Sequence, residues 1–144
     1  MSFTFDANVL LYASDDTSLY HERARAFLEH VAGGSELVYL FWPTVMAYLR
    51  IATHASIFES PLHPSEARAN VERLLALAHV QTVGEQDRFW RILRRTAEDA
   101  DARGNLVPDA HLVALMVENG VRTIWTRDRD YRRFAGVDVR DPFE

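Results

Sequence analysis

Apolar and polar positions change period repeatedly along this chain, and each change marks a new element. Phe3–Asp6 reads as a short strand, followed after a tight turn by a helix over Asn8–Ala13. From Leu19 to Ala32, Tyr20, Ala24, Phe27, Leu28 and Val31 recur at helical spacing until Gly33-Gly34 ends the segment. Leu37–Phe41 is an apolar run with the length of a buried strand, and Pro43 suits the first turn of a helix reaching His54. Beyond the Ser- and Pro-rich stretch Glu59–Pro64, Ser65 is the expected cap of a helix over Glu66–Ala78. Val80–Val83 is a weak third strand. On the polar segment Glu85–Ala102, Phe89, Trp90, Leu93 and Ala97 are spaced for burial, and Gly104 closes the helix. Val107-Pro108-Asp109 opens a strongly apolar helix ending at Asn119-Gly120. Thr123–Trp125 then reads as a strand, Asp130–Phe134 as a helical turn, and Val137–Arg140 as a last strand.

Strands alternating with helices predict an α/β fold of three layers, a mostly parallel central sheet flanked by helices. With 144 residues, 48% of them apolar, residues 1–144 form a single domain able to bury a continuous core. No internal repeat, linker or low-complexity segment divides it.

Composition narrows the chemistry. The apolar stretch ELVYLFWPTVMAYL is broken by Glu, Pro and Thr and falls short of the roughly 18–20 residues of a membrane span. The first residues carry no basic region followed by an apolar run, so a soluble, cytoplasmic protein with no membrane role is expected. There is no cysteine, which removes thiolate nucleophiles, disulfides and Cys-ligated zinc. All 16 basic residues are Arg, so lysine chemistry is excluded, and the net charge of −5 argues against bulk electrostatic binding of nucleic acid. Any such contact falls to local arginine groups. Arg88, Arg91, Arg94 and Arg95 share one helix face, which reads first as a solvated face; Arg127, Arg129, Arg132 and Arg133 cluster near acids and are better placed to grip phosphate.

Three aspartates sit at structural junctions: Asp6 after the first strand, Asp109 at a helix start, and Asp128, with Asp130 beside it, after a late strand. Each has a plain structural explanation. Asp6 can cap the following turn, Asp109 can stabilise a helix dipole by about 0.3–1 kcal/mol, and Asp128 can lie in a charge-paired loop. Their conjunction points instead to a carboxylate-walled cation site, because hard divalent ions take oxygen ligands and are held by a few carboxylates together with substrate phosphate. Thr126 adds a hydroxyl able to orient a water or phosphate. The six histidines have no metal-ligand spacing; His111, two residues past Asp109, diverges from it on a helix and reads as structural. Trp42, Trp90 and Trp125 read as core residues.

The motifs Asp6-Ala7-Asn8-Val9-Leu10-Leu11-Tyr12, Gly104-Asn105-Leu106-Val107-Pro108-Asp109-Ala110-His111-Leu112 and Thr126-Arg127-Asp128-Arg129-Asp130-Tyr131 follow one another in an order that resembles PIN-domain ribonucleases, above all the VapC toxins of bacterial toxin–antitoxin pairs. The resemblance spans essentially the whole chain. It implies a PIN-like fold and an endoribonuclease hydrolysing RNA phosphodiester bonds with Mg²⁺, or Mn²⁺, neutralised by a small VapB-like antitoxin. It also implies Asp6, Asp109 and Asp128 as metal ligands, the same acids with Asp130 as the catalytic set, and Asn8, Arg50, Thr126 and Arg127 on the substrate side. Apolar helix surfaces are expected to pair two copies into a homodimer.

One position departs from the family. The glutamate of the helix after the second strand is replaced by Ala47, in Val45-Met46-Ala47-Tyr48-Leu49-Arg50. Asp130, or Asp15, Asp16 or Glu36, is then required to compensate, or a second metal position is weakened. The gap also sustains an alternative reading, a catalytically weak PIN-like protein acting mainly as a binding partner. Receiver domains and haloacid-dehalogenase phosphatases share an early aspartate but need a lysine, and P-loop hydrolases need both a lysine and a glycine-rich motif that are absent here.

Overall fold

Phe3 and Phe5 alternate with Thr4 along the first strand, so each face of that strand carries its own demand for cover. In the computed structural model, which describes residues Met1–Glu144, this strand, β1 (Ser2–Phe5), lies at the centre of a five-stranded sheet. The chain continues through α1 (Ala7–Ser14), α2 (His21–Gly33), β2 (Leu37–Tyr39), α3 (Trp42–Ala52), α4 (Pro64–Leu75), β3 (Val80–Gln81), α5 (Phe89–Ala100), α6 (Leu106–Glu118), β4 (Thr123–Trp125), a 3-10 turn (Arg129–Arg133) and β5 (Asp138–Arg140). Strand order is β3-β2-β1-β4-β5, and every neighbouring pair is parallel. The expected mostly parallel sheet is therefore parallel throughout.

The order reverses direction at β1, and crossovers of a single hand then put the helices on opposite faces. Phe5, Val38 and Leu40 pack with residues of α1–α4, with Tyr48 fully buried among them. On the other face Ile124 and Phe41 pack against α6, with α5 outside it. Apolar almost all round, α6 buries Leu106, Ala110, every residue from Leu112 to Met116, and Glu118. Truncating a core aromatic such as Phe5 to Ala costs about 3–5 kcal/mol.

Several boundaries shift for local reasons. His63, not Ser65, caps α4: its Nδ1 accepts from the Ser65 amide at 3.1 Å, because Pro64 takes the first helical position. Asp101, in the left-handed region at φ 49°, closes α5 ahead of Gly104. The polar helix expected from Glu85 starts only at Phe89. The buried Glu118 carboxylate on α6 accepts from the Gln86 amide (3.0 Å) and the Arg88 amide (3.1 Å), satisfying the free N–H groups ahead of α5. Trp42 and Trp90 are 43% and 69% exposed and do not belong to the core, whereas Trp125 packs on Phe27 at 5.7 Å. No helix is long and apolar enough to cross a membrane.

Candidate active site

Parallel strands bring every strand C-terminus and every following helix N-terminus to one edge of the sheet, and the crevice opens where the strand order reverses. Here that point lies between the C-terminal ends of β1 and β4. Asp6 follows β1, Thr126 and Asp128 follow β4, Asp109 lies in the first turn of α6, and the starts of α1 and α3 complete the wall. Together they enclose a cavity of about 230 Å³ lined by Asp6, Ala7, Asn8, Pro43, Thr44, Ala47, Ile51, Pro108, Asp109, His111, Leu112, Asp128 and Tyr131.

Asp6 occupies the N-cap position of α1 without a side-chain capping bond of full hydrogen-bond geometry, the Asn8 and Val9 amides lying near enough only to favour its charged form. Its Oδ2 accepts instead from the Thr126 hydroxyl at 2.5 Å, across the sheet. The other oxygen, Oδ1, is buried with no hydrogen-bond partner. Burial above all pushes the Asp6 carboxyl up to about 6. The Thr126 hydroxyl and the nearby Asn8 and Val9 amides oppose that shift, while the charge of Asp128 adds to it. Asp109 is also raised to about 6, first by partial desolvation, then by the charges of Asp128 and Asp130, with the Tyr131 hydroxyl acting in the opposite direction. Tyr131, buried beside these carboxylates, is itself pushed strongly upward by burial and then by Asp109. Crowded carboxylates in a dry corner are unstable as a set of anions, and a cation relieves both the repulsion and the orphaned oxygen.

The acids divide into two groups. Carboxylate oxygens of Asp109, Asp128 and Asp130 lie within 4.8 Å of one another, close enough to share one ion. Asp6 stands outside that triad but lines the same cavity as Asp109 and Asp128. Asp128 is held twice: its amide donates to Thr126 Oγ1 at 2.9 Å, and its Oδ1 accepts from the Asp130 amide at 2.9 Å. A donor set made wholly of oxygens, with an unpartnered buried carboxylate oxygen at its edge, fits a hard divalent cation.

The remaining expected residues separate by location. Asn8 is exposed and lines the cavity, as a substrate-side residue requires. Thr126 is 2% exposed, and its hydroxyl is occupied by Asp6 and Asp128, so it positions carboxylates rather than meeting a ligand. Arg50 lies outside the cavity, in a shallow depression with Met46, Leu49, Thr53, Pro64 and Arg68. Arg127 does not line the cavity, its guanidinium lying 4.1 Å from the Tyr20 ring centroid and its Nε 3.5 Å from Asp141. Ala47 lines the cavity, so the missing glutamate leaves one of its walls bare. None of Asp15, Asp16 and Glu36 lines it. Sequence reasoning missed the His111 setting: its Nε2 lies 2.6 Å from Glu85 Oε1, which holds the Glu85 carboxyl below its usual range, and its ring meets Phe89 edge-on. That pair spans 26 residues, and nothing in the local sequence signals it.

Comparison with known proteins identifies the family. The PIN domain family model matches residues 3–137. Ribonuclease VapC48 of Mycobacterium tuberculosis is 48% identical over 143 residues, covering 99% of each chain. Among solved structures, VapBC2 from Rickettsia felis, bound to a DNA fragment from its promoter, superposes with TM-score 0.69 at 10% identity, covering 98% of both chains. VapC20 of Mycobacterium tuberculosis, described as a sarcin-ricin loop cleaving toxin, superposes with TM-score 0.66 at 14% identity over 94% of this chain and 98% of that one. At those identities the superpositions establish the fold.

Proposed function

This chain belongs to the PIN domain family, in its VapC branch, and we propose that it is a metal-dependent endoribonuclease, the toxin of a VapBC-type pair, acting at the Asp6–Asp109–Asp128 cavity. The observation that carries this reading is the buried, unpartnered Asp6 Oδ1 in a cavity shared with Asp109 and Asp128. Oxygen-only donors favour Mg²⁺, with Mn²⁺ as its closest substitute. Such an ion, when bound, lowers the pKa of a water and stabilises the charge that builds on the phosphodiester and its leaving 3′ oxygen. Asp109 and Asp128 are the residues to hold it, with Asp6 behind them. Asp130, exposed at the rim, is free to take the proton of the attacking water on its carboxylate. Thr126 keeps Asp6 and Asp128 in register. The exposed Arg129, Arg132 and Arg133 offer local positive charge for the flanking phosphates in a chain that is otherwise acidic.

Its partners follow from the same reading. An RNA substrate places the protein in the cytoplasm, a cognate VapB-like antitoxin restrains it, and exposed apolar residues such as Trp42, Met46 and Trp90 supply area for a homodimer. The test is cleavage of RNA in Mn²⁺ by wild type, Asp6→Asn and Asp109→Asn. Equal residual cleavage by all three sinks the nuclease reading. A second reading, a catalytically weak binding partner, draws on the bare Ala47 wall; it prevails if wild type cleaves no RNA with either metal while still binding its antitoxin.

A further inference from the structure

Arg127 was expected to grip phosphate, yet it does not line the cavity, and its guanidinium contacts Tyr20 and Asp141 instead. We propose that Arg127 is a positioning residue: with Tyr20 and Asp141 it clamps the segment Thr126–Asp128 and so fixes where Asp128 presents its carboxylate. The proposal rests on the metal-site reading above.

The clamp joins segments that are remote in sequence. Its guanidinium carbon lies 4.1 Å from the Tyr20 ring centroid, and its Nε is 3.5 Å from Asp141 Oδ2. Asp141 is itself held, because its Oδ1 accepts from the Phe143 amide at 2.9 Å. The Phe143 ring stacks on Tyr20, with centroids 5.3 Å apart and planes 8° from parallel, and Tyr12 of α1 leans on both rings at 5.2 and 5.9 Å. Arg127 thus closes on an aromatic block built from α1, the loop before α2 and the segment after β5.

What the clamp holds is otherwise weakly tied. The Thr126 amide donates to the Arg140 carbonyl at 2.8 Å, the last ladder bond of β4, and past it neither Arg127 nor Asp128 donates a backbone bond to the sheet. The Asp128 amide is satisfied only by the Thr126 hydroxyl. Asp128 lines the cavity and the Thr126 hydroxyl bonds Asp6 and Asp128, while Arg127, at the bend between them, reaches the aromatic block, and anchoring it resists movement of the segment. An exposed ion pair and a cation–π contact add little to global stability. Their consequence is local, in the placement of a ligand oxygen, as partners behind metal ligands generally act.

The test uses the full chain and Mn²⁺ alone, with affinity read by titration calorimetry and by electron paramagnetic resonance of the free ion. Arg127→Ala and Tyr20→Ala are expected to weaken Mn²⁺ binding about 10-fold or more each, with the double variant no worse than either single one. Tyr20→Phe keeps the ring but loses the hydroxyl that also acts on Arg127, and falls between wild type and Tyr20→Ala. In RNA cleavage, the loss in Arg127→Ala falls on kcat and is recovered with excess Mn²⁺, while KM for RNA stays unchanged. Wild-type Mn²⁺ affinity in Arg127→Ala with a raised KM for RNA assigns the residue to phosphate and overturns the proposal. If Arg127→Ala does not fold, Tyr20→Ala and Asp141→Asn decide, and wild-type affinity in both overturns it. Asp109→Asn separates the two levels of inference: when it loses Mn²⁺ and the clamp variants do not, only the clamp fails. A wild-type chain that takes no Mn²⁺ overturns the site and the clamp together.

Discussion

The two walls of the cavity are built from different materials. The wall from α6 and the β4 loop carries Asp109 and Asp128, with an Asp130 oxygen within 4.8 Å of theirs, while the wall from α3 offers Pro43, Thr44, Ala47 and Ile51. Repulsion and desolvation accumulate on the first wall and raise Asp109, whereas the second contributes no charge. Under the proposed metal reading, one ion is centred near Asp109 and Asp128, and on the α3 side a second would find no carboxylate.

The comparison breaks most sharply if its acidic wall is dismantled. Asp109→Asn is expected to reduce RNA cleavage on the order of 10³-fold, about 4 kcal/mol of barrier, with loss of Mn²⁺ binding by titration. Next in size is a stability effect at Asp6. Its folded-state pKa of about 6 exceeds the ordinary aspartate value of 3.8, so between about pH 4 and 6 the metal-free fold retains a proton that the unfolded chain has released. Stability is therefore lost as pH rises through that window, by roughly 3 kcal/mol. In urea melts with EDTA, wild type should lose that much relative to Asp6→Asn between pH 4 and 7; parallel curves would refute the buried-carboxylate account.

Rebuilding the bare wall is the smaller, sharper test. Ala47→Glu places an acid on the α3 side of the cavity and should raise Mn²⁺ stoichiometry from about one to about two per chain, with faster cleavage at low metal. A stoichiometry still at one would show that the wall lacks more than a carboxylate. Arg50→Ala, on the same helix but outside the cavity, should change kcat/KM by less than about twofold. A larger loss would return Arg50 to the substrate path.

Sequence carried the fold well because its information is periodic: the β1 alternation, the α2 stripe and the all-apolar α6 each state their own environment. Asp6, Asp109 and Asp128 were legible for a similar reason, since a strand end or helix start in a parallel sheet has only one edge to occupy. What failed depended on side-chain direction or on distant partners. Arg127 was set on the substrate side because it adjoins Asp128, but its guanidinium is taken up by Tyr20 and Asp141 outside the cavity. Thr126 gave no sign that its hydroxyl would be taken up by Asp6 and Asp128. Trp42 and Trp90 were placed inside on hydrophobicity alone, which does not separate a core face from an exposed one. Glu118 gave no local sign that it satisfies amides ahead of a helix some 30 residues earlier.

The bond between Thr126 and Asp6 joins residues 120 positions apart. Because β1 pairs with β4 across that separation, the loop it closes is long and entropically costly. A chain that stops before β4 lacks Thr126 and Asp128 altogether. For a chain proposed to destroy RNA, the topology works as a lock: the site cannot be assembled until β4 is present beside β1.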